Sequence, residues 1–467
     1  MLSSIVHRIF TPLLQYPYGM GNLKPDAVQA SAPEHARTER RSDGSLWYVL
    51  DNAAAFMPAL TDRTATLVFR VSATLTERIK LPALQEALTN LAPRFPYYRV
   101  ELRHGFFWYY LEPLLDRVPE PSADSKFPCL NMRVRRRGRF LFRVRAYRSR
   151  IAVEFCHVLT DGYGALVYLK AIIAEYLHLL GLDLSGVQGV FRPDELPAPE
   201  ESEDAFKRYF KQDIPFPGVA RKAFHLHSLP LFPGQYRVTT GIMPLGPLLS
   251  LAKARGATLT EFLVAVYLAA LQDIYHALPG PIRRTLHPLL SVEVPVNLRR
   301  LFPSTTMRNF SLYVLPTLDT RLGFYEFPEI VKRVHHYMQG EIDVKNISMQ
   351  IARNVGGGRS LLVRMLPLAL KGVAARAVYK RLGEDTFSGL FSNLGPVELP
   401  EPLAGRVERF DFIPAPSRQC KTTANAVSWK DRLFISFGSL ALSTELERLF
   451  FSRIAGMGVT VSVESNL

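Results

Sequence analysis

Apolar and polar positions alternate along several short stretches of this chain and elsewhere recur at helical spacing. Alternation over residues 140–147 and 151–156 predicts two strands joined by a tight turn. Apolar side chains then recur every three to four residues from Leu166 to Leu180, and Gly181 follows, so a helix is predicted there. A strand-to-helix turn with the sequence Cys-His-Val-Leu-Thr-Asp-Gly lies between them, at residues 156–162.

The same reasoning divides the rest of the chain into elements of both kinds. Strands are predicted at residues 66–72, 97–102, 105–111, 289–296, 310–315, 433–440 and 459–463. Helices are predicted at residues 81–91, 248–254, 258–271, 327–350, 360–382 and 443–455. Helices that cover mainly antiparallel sheets indicate an α+β fold.

A proline-rich stretch separates two groups of elements. We expect a first lobe at residues 1–190, a linker at 191–235 and a second lobe at 236–467. A chain of 467 residues is long enough for two such lobes.

The turn at 156–162 carries the candidate chemistry. A histidine that ends a strand is held at the edge of a rigid core, where His157 could act as a general base. Asp161 can cap the following helix through its carboxylate, and Gly162 lets the chain bend before that helix begins. A histidine whose bonds are satisfied by nearby backbone is the alternative interpretation of His157.

Charge and cysteine content narrow the possible partners. The formal net charge is +15, which predicts an anionic binding partner such as a phosphorylated co-substrate or a membrane surface. The sequence has no helix-turn-helix, zinc-finger or stacking-aromatic motif, so we expect no nucleic-acid partner. The three cysteines have neither metal nor disulfide spacing, and residues 1–10 show no secretory signal, so we expect no metal site and a cytoplasmic location.

Two basic stretches each have two interpretations. Arg139, Arg143 and Arg145 could form the solvated face of a sheet or a face that attracts phosphates. Residues 360–382 could form an interfacial membrane helix, which would place the protein at the membrane periphery, or a packed helix with a basic outer face.

The motif His-x-x-x-Asp-Gly, with His157 and Asp161 between a strand and a helix, resembles the active-site motif of the CoA-dependent acyltransferase superfamily. That superfamily includes chloramphenicol acetyltransferases, plant BAHD acyltransferases, condensation domains and alcohol O-acetyltransferases. Further stretches agree with the family in order, at residues 84–96, 256–271, 294–299, 309–310 and 392–395. Residues 50–53 and 392–395 look most like the alcohol acetyltransferase branch. The Asp-Phe-Gly-Trp-Gly motif of BAHD enzymes is absent, and Cys156 stands where most condensation domains have a first histidine.

The resemblance implies two lobes of the chloramphenicol acetyltransferase type with a tunnel between them. Acyl-CoA would enter this tunnel as a co-substrate, with no bound cofactor or metal, and an alcohol or amine acceptor would enter from the other side. It implies that His157 deprotonates the acceptor and that Arg299 pairs with Asp161. It also implies that Ser392 and Asn393 line the tunnel or donate to the oxyanion, and that residues 392–395 lie on a strand that crosses between lobes. A condensation-type enzyme that uses a carrier-protein thioester, and a non-catalytic binding protein, are the alternatives.

Overall fold

The computed structural model describes residues 38–40, 46–61, 66–215, 217–218, 220–359 and 365–467, with only the backbone of 38–40, 46, 357–359 and 377–382. Residues 1–37, and 360–364 of the basic segment predicted at 360–382, lie outside the described residues. The strands are β1 Thr38–Arg40, β2 Leu46–Val49, β3 Val68–Leu75, β4 Val100–His104, β5 Tyr109–Pro113, β6 Pro121–Ala123, β7 Phe142–Tyr147, β8 Arg150–Cys156, β9 Arg237–Pro244, β10 Leu289–Asn297, β11 Ser311–Val314, β12 Thr317–Asp319, β13 Gly389–Pro396, β14 Val407–Ile413, β15 Thr422–Trp429, β16 Arg432–Ser439 and β17 Ser462–Ser465. The helices are α1 Met57–Leu60, α2 Leu81–Leu91, α3 Gly162–Leu179, α4 Ala205–Arg208, α5 Leu245–Lys253, α6 Leu259–Ala277, α7 Gly280–Arg283, α8 Phe327–Glu341, α9 Val344–Arg359, α10 Leu368–Leu382 and α11 Glu445–Gly456.

The first lobe is built on a five-stranded sheet with the order β14-β3-β8-β7-β6. Helices α2 and α3 cover one face of this sheet. Helix α2 buries Leu84, Leu88 and Leu91, which share one face at helical spacing, and most of α3 is buried as well. A smaller sheet, with the order β1-β2-β5-β4, packs beside it. The strand that delivers the His157 turn, β8, is central in the larger sheet and therefore rigidly held.

The second lobe is built on an eight-stranded sheet with the order β11-β10-β13-β15-β16-β9-β17, in which β12 also pairs with β10. Helix α6 is buried against this sheet for most of its length. It starts with the capping box that the sequence predicts, in which Thr258 and Glu261 satisfy each other's backbone N–H groups. The fold is thus a two-lobed α+β architecture with mainly antiparallel sheets.

The expectation that residues 392–395 lie on the strand that crosses between the lobes is wrong. Two predicted elements also differ in their bounds, because the helix predicted at 327–350 is split into α8 and α9, and residues 105–108 of the strand predicted at 105–111 form the turn before β5. Residues 392–395 lie on β13, which stays in the second-lobe sheet, parallel to β10 and β15. The crossing strand is β14, which pairs antiparallel with β3 and buries Phe410 and Phe412 in the first-lobe core. The first-lobe sheet therefore contains a strand from the second half of the chain, between two strands of the second-lobe sheet in sequence.

The proline-rich segment expected to be a linker is held in place by hydrogen bonds at Glu201. Arg94 on the first lobe donates two hydrogen bonds of 2.7 Å to the carboxylate of Glu201, and both side chains are buried. The carbonyl of Glu201 accepts from the backbone N–H of Met307 in the second half of the chain, at 2.8 Å. This segment consequently ties the two halves together beside the candidate site.

Within the described ranges, no helix combines the length and the apolar character that crossing a bilayer would require.

Candidate active site

The His157 turn is fixed by backbone hydrogen bonds on both sides. The N–H of His157 donates to the carbonyl of Leu67 at 2.8 Å, which extends the pairing of β8 with β3 by one residue. The hydroxyl of Tyr97 donates to the carbonyl of Leu159 at 3.0 Å. Asp161 is the N-cap of α3 and accepts from the N–H of Gly164 at 3.2 Å. The turn therefore holds the His157 side chain, which is half-buried, at the end of a central strand.

The ring of His157 is oriented by an asparagine from the second half of the chain. Its Nδ1 lies 2.9 Å from Oδ1 of Asn309. The amide nitrogen of Asn309 donates to the carbonyl oxygen of His157 at 3.0 Å and to Oδ2 of Asp51 at 3.1 Å. Because two acceptors face the nitrogen of this amide, its oxygen faces the ring, and Nδ1 must carry the proton.

This tautomer leaves Nε2 of His157 as the unprotonated nitrogen. Nε2 forms no hydrogen bond within the described part of the chain, and the protein does not fully enclose it, so it is accessible. A basic nitrogen that is accessible and has a fixed direction is what a general base requires.

Asp51, at the far end of this hydrogen-bond chain, is completely buried. Its Oδ1 accepts from the N–H of Ala54 at 2.7 Å, and its Oδ2 lies 3.6 Å from Nε of Arg308. Burial raises the pKa of Asp51 above its ordinary value, although the charge of Arg308 opposes this shift. The guanidinium of Arg308 donates to the carbonyl of Val49 at 2.6 Å, which fixes the residue next to Asn309.

Asp161 and Arg299 form a buried ion pair with a distance of 2.8 Å between Oδ2 and the guanidinium. The guanidinium also donates to the carbonyls of Thr306 and Arg308, at 2.8 and 2.7 Å. Oδ2 of Asp161 accepts from the N–H of Phe310 at 3.0 Å. The pair therefore clamps residues 306–310, the segment that presents Asn309 to His157.

The two glycines after Asp161 are needed for close approach. A Cβ at Gly162 would lie 3.1 Å from the ring of Phe412 and 3.2 Å from Leu394. Gly162 is the first residue of α3 and has no left-handed backbone, so close packing between the lobes explains it better than the sharp bend expected from the sequence. At Gly164 a Cβ would lie only 2.3 Å from the carbonyl oxygen of Met307, which leaves no room for a side chain.

Ser392 and Asn393 lie on β13 and form no hydrogen bond with His157 in the described chain. The amide nitrogen of Asn393 donates to the hydroxyl of Thr260 at 2.9 Å, and its oxygen accepts from the N–H of Gly395 at 2.9 Å. Ser392 is half-buried and pairs in register with Asn425 on β15. The structure thus joins His157, Asp161, Gly162 and Arg299 in one site, and Ser392 and Asn393 take no part in its hydrogen bonds among the described residues.

Asn309 and Asp51 are the site residues that sequence reasoning did not assign. Both occur in stretches that match the family in order. Neither the spacing nor the residue type predicts that Asn309 contacts His157, 152 positions away, or that Asp51 contacts Asn309. Across the described ranges, no three or more histidine, cysteine, aspartate or glutamate side chains form a cluster that could hold a metal ion.

Comparison with known proteins identifies the fold. No family profile and no curated protein sequence matches the chain. Among solved structures, TRI3 trichothecene 15-O-acetyltransferase from Fusarium sporotrichioides superimposes with a TM-score of 0.57 and 10% identity, over 93% of this chain and 99% of that one. Polyketide synthase associated protein 5 from Mycobacterium tuberculosis gives 0.53 and 14% identity, over 83% of this chain and 93% of that one.

A starter condensation domain, that of rhizomide synthetase RzmA in complex with C8-CoA, gives a TM-score of 0.55 and 14% identity, over 88% of this chain and 94% of that one. The protein thus has the two-lobed fold shared by CoA-dependent acyltransferases and condensation domains. At these identities the likeness establishes the fold, as the sequence motif predicts.

Proposed function

We propose that the protein is an acyltransferase that moves an acyl group from a thioester to an alcohol or amine, with His157 as the general base. The observation that carries this proposal is the chain Asp51–Asn309–His157, which places the ring proton on Nδ1 and leaves Nε2 free. A histidine satisfied only by local backbone would not need a side-chain partner from a distant segment.

The reaction follows from that tautomer. Nε2 of His157 takes the proton of the acceptor hydroxyl or amine as the acceptor attacks the thioester carbonyl carbon. A tetrahedral oxyanion forms, the carbon–sulfur bond breaks, and the leaving thiolate takes the proton back from the imidazolium. The histidine ends neutral, no covalent acyl-enzyme forms, and general base catalysis contributes about 10²–10⁴-fold.

We assign the donor as an acyl-CoA. The net charge of +15 suits a donor with several phosphates. One structural neighbour is in complex with C8-CoA, and another is described as an acetyltransferase. A carrier-protein thioester is the second candidate, because several neighbours of this fold are nonribosomal peptide synthetases.

The site is shared between the two halves of the chain, which supports a passage between the lobes. His157 and Asp161 come from the first half, whereas Arg299 and Asn309 come from the second. On this proposal the lobes are residues 1–190 and 236–467, with β14 exchanged into the first-lobe sheet. Donor and acceptor would then approach Nε2 from opposite ends of the passage.

Thiol release from a panel of acyl-CoA thioesters, with alcohol and amine acceptors, tests the activity. We expect His157→Ala to abolish turnover without lowering the melting temperature. His178→Ala is the matched control, since His178 is exposed at the end of α3 and far from the turn in sequence. Wild-type turnover in His157→Ala would overturn the base assignment, and turnover only with an acylated carrier protein would favour the second candidate.

Asn309 variants test the orientation of the ring separately. Asn309→Ala should lower kcat by about 10²-fold with little change in KM, because a misdirected base loses positioning rather than binding. Asn309→Asp places an anion beside Nδ1, which favours the protonated ring, so the acidic limb of the pH–rate profile should move to higher pH. Identical pH profiles for Asn309→Asp and wild type would contradict the proposed hydrogen-bond chain.

A further inference from the structure

The tip of the β4–β5 hairpin exposes three consecutive aromatic side chains. Phe106 is 71% exposed, Phe107 36% and Trp108 49%. The tip is an ordered turn, since the N–H of Gly105 donates to the carbonyl of Trp108 at 2.8 Å. Large aromatic side chains are usually buried, so three together in water at a projecting tip indicate an interaction surface.

The start of α10 extends this surface from a distant part of the chain. The N–H of Leu368 donates to the carbonyl of Phe106 at 2.9 Å, and Nζ of Lys371 donates to the carbonyl of Phe107 at 2.8 Å. The same ammonium lies 5.7 Å from the ring centroid of Trp108. Three further apolar side chains, on or just before α10, are exposed as well. We define the aromatic patch as the three tip residues with these three side chains: Phe106, Phe107, Trp108, Met365, Leu370 and Val373.

Basic side chains border the aromatic patch. Lys371 lies within it, and Arg376 is exposed one turn beyond Lys371 on α10. Residues 133–139 form a loop with five exposed arginines, and Arg135 donates to the carbonyl of Pro58 in α1. In the described chain, no carboxylate forms an ion pair with any arginine of this loop.

The basic loop and α10 are joined through α1. A Cβ placed on Gly372 of α10 would lie 3.8 Å from Ala59, the residue next to Pro58. The aromatic tip, the start of α10, α1 and the basic loop are thus neighbours. The arginines of β7 do not belong to this surface, because Arg143 pairs with Glu154 and Arg145 donates to the carbonyl of Ala123.

We propose that this surface docks on an anionic phospholipid membrane, with the aromatic patch at the interface and the basic loop against lipid phosphates. The indole of Trp108 has a polar edge and is favoured at the headgroup level, whereas phenylalanine rings enter the interface as apolar side chains. Exposed cations supply attraction to anionic lipids. An exposed hairpin tip with a basic border complements a flat, negatively charged surface better than a protein groove. The proposal is independent of the acyl transfer proposed above, because no residue of the patch belongs to the His157 site.

Co-sedimentation of the full chain with vesicles tests the proposal. Wild type should bind vesicles of phosphatidylcholine mixed with phosphatidylglycerol and bind phosphatidylcholine alone weakly, with binding reduced by salt. The double variant Phe106→Ser/Trp108→Ser should lose about 10-fold or more in affinity, since two rings no longer enter the interface. Leu229→Ser/Phe232→Ser is the matched control, because these two side chains are 73% and 78% exposed in the segment at 191–235.

Tryptophan emission gives a readout that depends on the tip. The chain has three tryptophans, and Trp429 is buried. Anionic vesicles should shift the emission to shorter wavelength in wild type, and Trp108→Phe should abolish this shift while vesicles still bind. Equal binding by the patch variant and the control variant would overturn the proposal. Loss of self-association in the patch variant, with vesicle binding unchanged, would instead assign the surface to a second copy of the chain.

Discussion

Removing Arg299 should cost the protein both stability and activity. Arg299→Ala leaves the Asp161 carboxylate without its ion-pair partner, and the two side chains are each only 6% exposed. Breaking a buried pair by removing one partner costs about 3–5 kcal/mol of unfolding free energy. At about 2.1 cal/mol/K of unfolding entropy per residue, this would lower the melting temperature by roughly 3–5 °C if the 467 residues unfold together.

The activity loss has a separate structural cause. The guanidinium holds the carbonyls of Thr306 and Arg308, and the next residue is Asn309, which orients His157. We therefore expect kcat to fall by about 10²-fold in Arg299→Ala even where the variant is fully folded. Arg299→Lys should recover more stability than activity, because an ammonium can pair with Asp161 but cannot bridge both carbonyls.

Urea unfolding and thiol-release assays on Arg299→Ala, Asp161→Asn and the double variant measure both effects. The double variant should cost less than the sum of the single variants, by about 2 kcal/mol or more. Arg321→Ala is the matched control, because Arg321 forms an exposed ion pair with Asp319 at 2.5 Å. The reasoning fails if Arg299→Ala is no more destabilising than Arg321→Ala, or if the two site variants are additive.

Three further perturbations have expected outcomes. Gly164→Ala should cost about 1–3 kcal/mol in chemical unfolding because its Cβ would meet the Met307 carbonyl, whereas Gly340→Ala, with open space at that position of α8, should not destabilise. Burial and the nearby Glu384 raise the pKa of Glu293 to about 8. The folded state therefore keeps a proton that the unfolded state loses above about pH 4.5. The free energy of unfolding should consequently fall as the pH rises from about 4.5 to 8. Glu293→Gln should flatten that fall, and an unchanged pH dependence of the melting temperature would count against it. Arg94→Ala should cost about 3–5 kcal/mol by leaving Glu201 unpaired, and limited proteolysis should then cut within 191–235.

Elements with strong local signals were predictable from the sequence. Helix α2 begins and ends at Leu81 and Leu91 as its apolar spacing predicts, and α6 begins after the predicted capping box. Strand β15 was missed because all of its residues are buried, including Thr422 and Asn425, so it shows no alternation of apolar and polar positions. An alternating pattern identifies a strand with one buried face, so it does not identify a strand such as β15 that is buried on both faces.

The candidate site was predictable only in part, for a related reason. The turn residues His157 and Asp161 are close in sequence, and their role follows from the strand and helix on either side. Asn309 contacts the ring from a segment 152 positions away, and Asp51 contacts Asn309 from a segment 258 positions away. Neither segment carries a pattern that specifies its neighbour. Contacts of this range depend on how the lobes pack, which a single sequence does not state.

The distribution of polar groups also explains why an asparagine, and not Asp161, serves the histidine. Both oxygens of Asp161 are occupied, by the N–H of Gly164 and by the N–H of Phe310 together with Arg299. Asp161 therefore stabilises the turn and the segment at 306–310, and it forms no hydrogen bond with the His157 ring among the described residues. A neutral amide at Nδ1 fixes the tautomer without placing the charge of a carboxylate beside the ring. On the mechanism proposed above, the base must be neutral to accept the acceptor's proton and must then return that proton to a thiolate, and an uncharged partner at Nδ1 suits both steps.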